Sequence, residues 1–152
     1  MTDKQNMPFT EATILEVMRT QPIAPLVNSR HSSDQPTQFK GYVLPPRTMI
    51  IANMYALMND PDHWVDPEIF NPLRFIGEDG KVIKDSYMLP FSIGKRQCPG
   101  EPLARMELFL FFVGILQKFR IEIPPGREAP LKVELGNGMN APVESDLCFI
   151  RD

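Results

Sequence analysis

The sequence predicts a mixed fold, mainly helical with small β-sheets (α+β). Three observations support this: a helical pattern near the start, a longer apolar helical pattern after residue 100, and short alternating segments typical of strands. The chain has 152 residues, 43% of them hydrophobic and 23% charged, which is enough for a hydrophobic core. Its net charge of −3 gives no reason to expect nucleic-acid binding. No linker divides the chain.

Residues 10–20, "TEATILEVMRT", predict the first helix. Thr10 can cap this helix and Glu11 suits its first turn. Apolar residues at helical spacing follow, namely Ile14, Leu15, Val17 and Met18. Pro22 and Pro25 end the helix, and the polar segment "SRHSSDQPTQ" after them is typical of a loop.

The middle of the chain predicts few regular elements. Residues 39–44 and 48–52 predict two short strands joined through residues 45–47, and residues 53–60 predict a brief helix. Residues 61–90 are rich in proline, glycine and polar residues, so they predict an ordered coil. The side chains expected to pin that coil are Trp64, Phe70 and Phe75.

Residues 101–119 form the strongest helical pattern, and Pro102 is tolerated in a first helical turn. Within it, the nine-residue run "LFLFFVGIL" (residues 108–116) is too short to span a bilayer and predicts a buried helix. The start of the chain lacks the apolar core of a signal peptide. After residue 119 the pattern alternates as in strands, around the turn signal Gly136-Asn137-Gly138.

Cys98, in the stretch "FSIGKRQCPG", is the main candidate for chemistry. The chain has only two cysteines, too few for a disulfide framework. A lone cysteine is most often a small buried hydrophobe, which is the expectation for Cys148. A nucleophile would need a base, but His31 and His63 lie in unrelated polar coil. Zinc would need further cysteine or histidine ligands.

The residues around Cys98 fit axial metal ligation better. Gly94 and Gly100 allow the close backbone approach that a flat macrocycle needs. Arg96 adds a positive charge that favours a thiolate and can reach a carboxylate. The helix expected after Pro99 directs its positive end toward Cys98, and backbone N–H groups of such a loop can bond the sulfur.

These ten residues resemble the haem-binding signature of the cytochrome P450 family, Phe-x-x-Gly-x-Arg-x-Cys-x-Gly. The resemblance implies that Cys98 is the catalytic thiolate that ligates haem iron, since it stands at the cysteine of the signature. The cofactor-binding residues that it implies are Phe91, Gly94, Arg96, Cys98, Gly100, Ala104 and Arg30. Arg96 and Arg30 are expected to contact the haem propionates. His31 is a weaker candidate than Arg30, and either of the two could instead be an ordinary loop residue.

A second motif supports the resemblance. Glu16 and Arg19 match the Glu-x-x-Arg of the family's K helix, and their spacing puts them on one helix face. Alone, the pair would be a solvated surface pair of little energetic value. Arg74, in "FNPLRF", resembles the third member of the family's triad. The resemblance implies a partly buried structural network that locks the coil before the haem loop, with no catalytic role.

The resemblance runs from about Asp3 to the C-terminus and points to the animal microsomal branch. It implies the C-terminal third of the fold, from the K helix through the haem-binding loop and L helix to the terminal β-hairpin. Residues 1–152 would then be a partial domain, without the distal helix, an earlier propionate-holding helix or the N-terminal membrane anchor. A fragment of this kind would leave the apolar run at 108–116 without its packing partners.

For a longer protein, the resemblance implies a monooxygenase that inserts one oxygen atom of O2 into an apolar organic substrate. It implies electrons from NADPH through a flavoprotein reductase that docks near Lys95 and Lys118, and a location at the endoplasmic reticulum membrane. The segments implied to face a lipophilic substrate are "IAPLV" and Met139-Asn140. The isolated chain is expected to be inactive. The alternatives are a non-catalytic truncated haem-binding or interaction fragment and a haem-thiolate isomerase.

Overall fold

The computed structural model describes residues 3–27, 29–128, 133–136 and 139–151. The helices in these residues are α1 (Pro8–Thr20), α2 (Met54–Met58) and α3 (Glu101–Leu116). The strands are β1 (Arg30–His31), β2 (Thr37–Phe39), β3 (Tyr42–Leu44), β4 (Met49–Ile50), β5 (Phe119–Glu122), β6 (Val133–Gly136), β7 (Met139–Pro142) and β8 (Cys148–Arg151). This structure confirms the predicted mixture of helices and small sheets.

The strands form small antiparallel pairs. β1 pairs with β4, β2 with β3, β5 with β8, and β6 with β7. The β5–β8 pair joins the segment after α3 to the end of the chain, with Phe119 opposite Arg151. β6 and β7 flank the predicted turn signal Gly136-Asn137-Gly138, of which residues 137 and 138 lie outside the described residues.

Helix α1 starts two residues earlier than predicted. Pro8 takes the first position, where its missing N–H costs nothing, and Thr10 therefore lies inside the first turn and does not cap the helix. The residue at the N-cap position is Met7, whose side chain makes no capping hydrogen bond. The helix ends at Thr20, just before Pro22, as the prolines predicted.

The strand predicted at residues 39–44 is wrong as a single strand. Lys40 and Gly41 both have positive φ angles, +45° and +85°, and they form the turn of a hairpin between β2 and β3. Residues 29–38, predicted as a loop, also contain strand residues. Strand β1 lies within them and pairs with β4, and β2 begins at Thr37. The second predicted strand is present in shortened form as β4.

The brief helix predicted at residues 53–60 is α2. Asn53 caps it, its Oδ1 accepting the backbone N–H of Ala56 at 2.9 Å. The coil that follows contains one short 3-10 turn at Pro72–Phe75. It is pinned by Trp64 and Phe75, which are 4% and 1% exposed and pack with Ala12 and Leu15 of α1. Phe70 is 50% exposed, contrary to the prediction that it pins the coil.

Helix α3 is mostly uncovered. The prediction of a buried helix is wrong for the chain by itself, since among its described side chains Phe109 alone is buried. The apolar side chains of α3 that are exposed are Leu103, Met106, Leu108, Leu110, Phe111, Ile115 and Leu116. A helix that is apolar all round needs cover on every face, and here α1 and β5 are the elements that pack on it. Across the described part of the chain, no helix is long and apolar enough to cross a membrane.

Candidate functional site

Residues Phe91 to Gly100, here named the Cys98 loop, fold back on themselves in front of α3. The backbone N–H of Cys98 donates to Phe91 O at 3.0 Å, which closes the loop. Gly94 has a φ of +81° and begins a 3-10 turn, Gly94–Arg96, where the N–H of Gln97 returns to Gly94 O at 3.0 Å. Glycine adopts a left-handed φ at little cost, and this backbone conformation explains why glycine suits position 94.

The thiol of Cys98 is exposed and free. A Cβ built on Gly94 would meet no atom within 4 Å, and one built on Gly100 would touch the Cys98 Sγ at an ordinary 3.7 Å. The exposed sulfur therefore borders Gly100, and neither glycine position is crowded. Cys148, in β8, is also a free thiol, and it is half-buried where a buried position was predicted.

The other residues implied to bind the cofactor lie on three elements. Phe91 is half-buried at the start of the loop and Ala104 is half-buried in the first turn of α3, its N–H donating to Gly100 O at 2.9 Å. Arg96 is exposed within the 3-10 turn of the loop. Arg30 and His31 are exposed in β1, where the guanidinium of Arg30 donates to Ser29 O at 3.2 Å.

The structure brings Glu16, Arg19 and Arg74 together. Arg19 holds the carboxylate bidentately, with Nε 2.8 Å from Oε2 and Nη2 2.9 Å from Oε1. Arg74 Nε donates to Oε1 at 3.0 Å, and the backbone N–H of Asn71 adds a bond to the same oxygen at 2.9 Å. Glu16 and Arg19 have no exposed surface. The network therefore joins α1 to the coil through a buried carboxylate.

The other hydrogen bonds from the two arginines go to backbone carbonyls at the end of α2 and in the coil, apart from one from Arg19 Nη1 to Asn59 Oδ1 at 3.2 Å. Those that accept from Arg19 are Met58 O and Pro67 O, and those that accept from Arg74 are Val65 O, Asp66 O and Ile69 O. Among the described residues, no buried side-chain nitrogen or oxygen lacks a partner. Full pairing is what allows charges to be buried without a large net penalty.

Glu101 is a site residue that the sequence motifs did not reveal. Both of its carboxylate oxygens are engaged, one by Arg105 Nε at 2.7 Å and the other by Gln97 Nε2 at 2.6 Å. Partial burial on its own would raise the pKa of Glu101, but these two hydrogen bonds outweigh it and the pKa lies below its usual value. The i,i+4 spacing of Glu101 and Arg105 was the available signal.

His63 was predicted to lie in unrelated coil, but it is an anchor of that coil. Its Nε2 is 2.9 Å from both carboxylate oxygens of Asp85, and its ring stacks on Tyr87 at 3.8 Å. It also meets the edge of Trp64, with centroids 4.9 Å apart. Nothing in the sequence spacing pointed to this contact, because 22 residues separate His63 from Asp85.

The two segments implied to face substrate meet in space. Asn140, in β7, donates its backbone N–H to Ile23 O at 2.8 Å and its Nδ2 to Pro22 O at 2.9 Å. The neighbouring apolar side chains of Ile23 and Met139 are exposed. The segment after α1 and the start of β7 therefore form one continuous surface.

Comparison with known proteins gives a consistent result. Residues 1–149 match the cytochrome P450 family. The chain is 43% identical over 131 residues to cytochrome P450 2U1 of Rattus norvegicus, which covers 86% of the chain and 24% of that protein. It is 45% identical over 136 residues to cytochrome P450 2J5 of Mus musculus, covering 90% of the chain and 27% of the relative.

A third relative is the steroid 17-alpha-hydroxylase/17,20 lyase of Squalus acanthias, 45% identical over 135 residues. The match covers 87% of the chain and 26% of that protein. The chain thus spans about a quarter of the length of the curated relatives it matches.

Proposed function

Because the chain belongs to the cytochrome P450 family, as its motifs predicted, we propose that Cys98 is the thiolate ligand of the haem iron in a monooxygenase. Family membership supports oxidoreductase chemistry of this general kind. The observation that carries the specific proposal is the free, exposed thiol of Cys98, held in a closed loop directly before α3.

The geometry of the loop fits a large flat cofactor. A haem would bring its own nitrogen ligands, so the protein would have to provide one sulfur ligand and room for the macrocycle. Cys98 provides the sulfur, and Gly94 and Gly100 add no side chain beside it. Among the described residues, no group of three or more His, Cys, Asp or Glu side chains could hold a metal ion.

When bound, a thiolate-ligated haem supplies the chemistry of oxygen activation, because the thiolate pushes electron density that favours O–O cleavage. The protein's part is to hold the sulfur in place. The bond from Cys98 N–H to Phe91 O fixes the backbone at the ligand, and α3 directs its N-terminal dipole toward it. Ala104, one turn into α3, has a small, half-buried side chain, and its N–H donates to Gly100 O at the end of the loop.

Two arginines are proposed to bind the haem propionates. Arg96 lies two residues before the ligand, is exposed, and makes no hydrogen bond or ion pair with the side chains that the structure describes. A guanidinium suits a carboxylate because it can donate two parallel hydrogen bonds. Arg30, on β1, is the second candidate, with His31 beside it as the weaker one.

The triad of Glu16, Arg19 and Arg74 is proposed to be structural. Its hydrogen bonds tie α1 to the coil between residues 58 and 74, and that coil leads into the Cys98 loop. The triad would fix the path of the chain before the ligand, while making no contact with substrate.

We further propose that the chain corresponds to the C-terminal third of the family's fold, from the K helix (α1) through the Cys98 loop and L helix (α3) to the terminal strands. The uncovered apolar surface of α3 supports this placement, since such a helix is stable only with packing partners. The 152-residue chain is then expected to have no monooxygenase activity alone, which leaves a non-catalytic haem-binding or interaction role as the second candidate.

Partners and location follow from the same proposal. Lys95, before α3 in the sequence, and Lys118, after it, are both exposed. They would meet the acidic surface of a flavoprotein reductase that passes electrons from NADPH. Ile23 and Met139 would face a lipophilic substrate. The longer protein would act at the endoplasmic reticulum membrane.

The test is the spectrum of the reduced, carbon monoxide-bound haem in the protein that carries this chain. We expect the strongly red-shifted Soret band of a thiolate ligand. Cys98→Ser should abolish this band, whereas Cys148→Ser, which removes the other cysteine, should leave it unchanged. A Cys98→Ser protein that retains the band would disprove the assignment.

A further inference from the structure

We propose that Glu101 is a positioning residue for Cys98 and that it acts through Gln97 and Arg105. The inference rests on the proposed role of Cys98 as the haem ligand. It concerns how the loop is kept in one conformation, and its basis is a set of contacts that connect both ends of the loop to α3.

The first contact lies next to the ligand. Gln97, the residue directly before Cys98, donates its Nε2 to Glu101 Oε2 at 2.6 Å. Glu101 is the first residue of α3, and its backbone N–H points back to Cys98 O at 3.4 Å. The carboxylate therefore bridges the residue before the sulfur to the helix after it, across the turn that carries the ligand.

The second contact reaches the start of the loop. Arg105 Nε donates to the other carboxylate oxygen of Glu101 at 2.7 Å, and its guanidinium lies over the Phe91 ring, 5.2 Å from the centroid. The backbone carbonyl of Phe91 in turn accepts the N–H of Cys98. One arginine thus connects Glu101 to the residue that closes the loop, and contacts on both sides of Cys98 meet at a single carboxylate.

An ordinary i,i+4 pair on a helix surface contributes only a few tenths of a kcal/mol. Glu101 differs because its side chain is only 20% exposed and because its other partner, Gln97, lies outside the helix. Charge-assisted hydrogen bonds are short and directional, so they restrict the loop to one path. Without Glu101, the segment between Gly94 and Pro99 would lose its side-chain tether to α3.

The decisive experiment compares Glu101→Gln with Glu107→Gln in the haem-loaded protein that carries this chain. Glu107 is the matched control, because it is an exposed glutamate on the same helix. The measurement is the rate at which the red-shifted carbon monoxide band converts to the shorter-wavelength band of haem that has lost its thiolate. We expect Glu101→Gln to raise this rate about fivefold and Glu107→Gln to leave it unchanged. Equal rates in the two variants would overturn the proposal.

A second variant tests the route of the effect. Gln97→Leu removes the bond to Glu101 at an exposed loop position and leaves α3 intact. If the two residues act together, the double variant should lose thiolate ligation no faster than Glu101→Gln alone, and additive effects would contradict the inference.

Cys98→Ser separates this inference from the proposed function. If Cys98→Ser keeps the red-shifted band, the ligand assignment itself fails. If Cys98→Ser loses the band while Glu101→Gln behaves like Glu107→Gln, only the positioning role fails.

Discussion

Glu16 is a fully buried carboxylate between two arginines, and its pairing decides whether α1 can hold the coil. Three N–H groups reach its Oε1 and a fourth reaches Oε2. If the negative charge were removed, these N–H donors would lose the carboxylate that accepts their hydrogen bonds. We therefore expect substitution of Glu16 to be among the most destabilising changes in the chain.

We predict that Glu16→Gln lowers the free energy of unfolding by about 3–5 kcal/mol, because it leaves Arg19 and Arg74 without their counter-charge. The matched control is Glu11→Gln on the same helix. Glu11 pairs with Lys4 at 2.9 Å with about a quarter of each side chain exposed, so its loss should cost less than about 1 kcal/mol. Urea unfolding of both variants measures the difference. Similar costs would contradict the buried-network interpretation.

Glu101 should make stability depend on acid pH. Partial burial by itself would raise the pKa of Glu101, but the hydrogen bonds from Arg105 and Gln97 together with the Arg105 charge outweigh it and lower the pKa in the folded state. Its contribution is therefore fully present above the unfolded glutamate pKa of about 4.3 and is lost as the pH falls through the folded value.

We predict that the difference in free energy of unfolding between wild type and Glu101→Gln is largest at neutral pH. It should shrink as the pH falls below the pKa of an unfolded glutamate, about 4.3. Arg105→Gln should move the titration midpoint of the Glu101 carboxyl back toward its usual value, as measured by NMR. A midpoint that does not move would show that Arg105 is not a cause of the shift.

At the scale of elements, the sequence predicted the helices better than the strands, and it predicted both better than what covers them. The prolines located the end of α1, and the brief helix predicted at residues 53–60 is present as α2. The hairpin of β2 and β3 was missed because Lys40 takes a positive φ, which residue type alone does not favour. The Glu16 network was anticipated from two motifs, whereas the Glu101 bridge depends on how the Cys98 loop meets α3 in space.

Two glycines, one in the Cys98 loop and one in α3, should respond with opposite sign to the same substitution. Gly94 has a φ of +81° and open space where a Cβ would stand, so Gly94→Ala should cost about 1–2 kcal/mol from backbone strain alone. Gly114 lies inside α3, has ordinary helical geometry and also has open space, so Gly114→Ala should add about 0.5–1 kcal/mol of stability. Thermal unfolding of the 152-residue chain tests both. Changes of the same sign would refute the conformational argument.

At the scale of the whole molecule, burial is uneven. The buried cluster lies where α1 meets the coil, around Trp64 and Phe75. Helix α3 has large exposed apolar side chains. An exposed apolar surface of this kind promotes association in water. Sequence periodicity could not predict this uneven burial. A helix that is apolar all round is expected to be buried, but its pattern does not indicate which segment packs against it.

The chain by itself should therefore self-associate through α3. Phe111 is 66% exposed and Leu110 is 54% exposed, so placing a charge at either position should weaken association by about tenfold, the order expected for one large apolar side chain. Sedimentation or light scattering over a concentration series would measure Leu110→Lys and Phe111→Lys against Val65→Lys. Val65 is 77% exposed in the coil, so that control adds the same charge away from α3. If Val65→Lys weakens association equally, net charge explains the effect and α3 is not the contact surface.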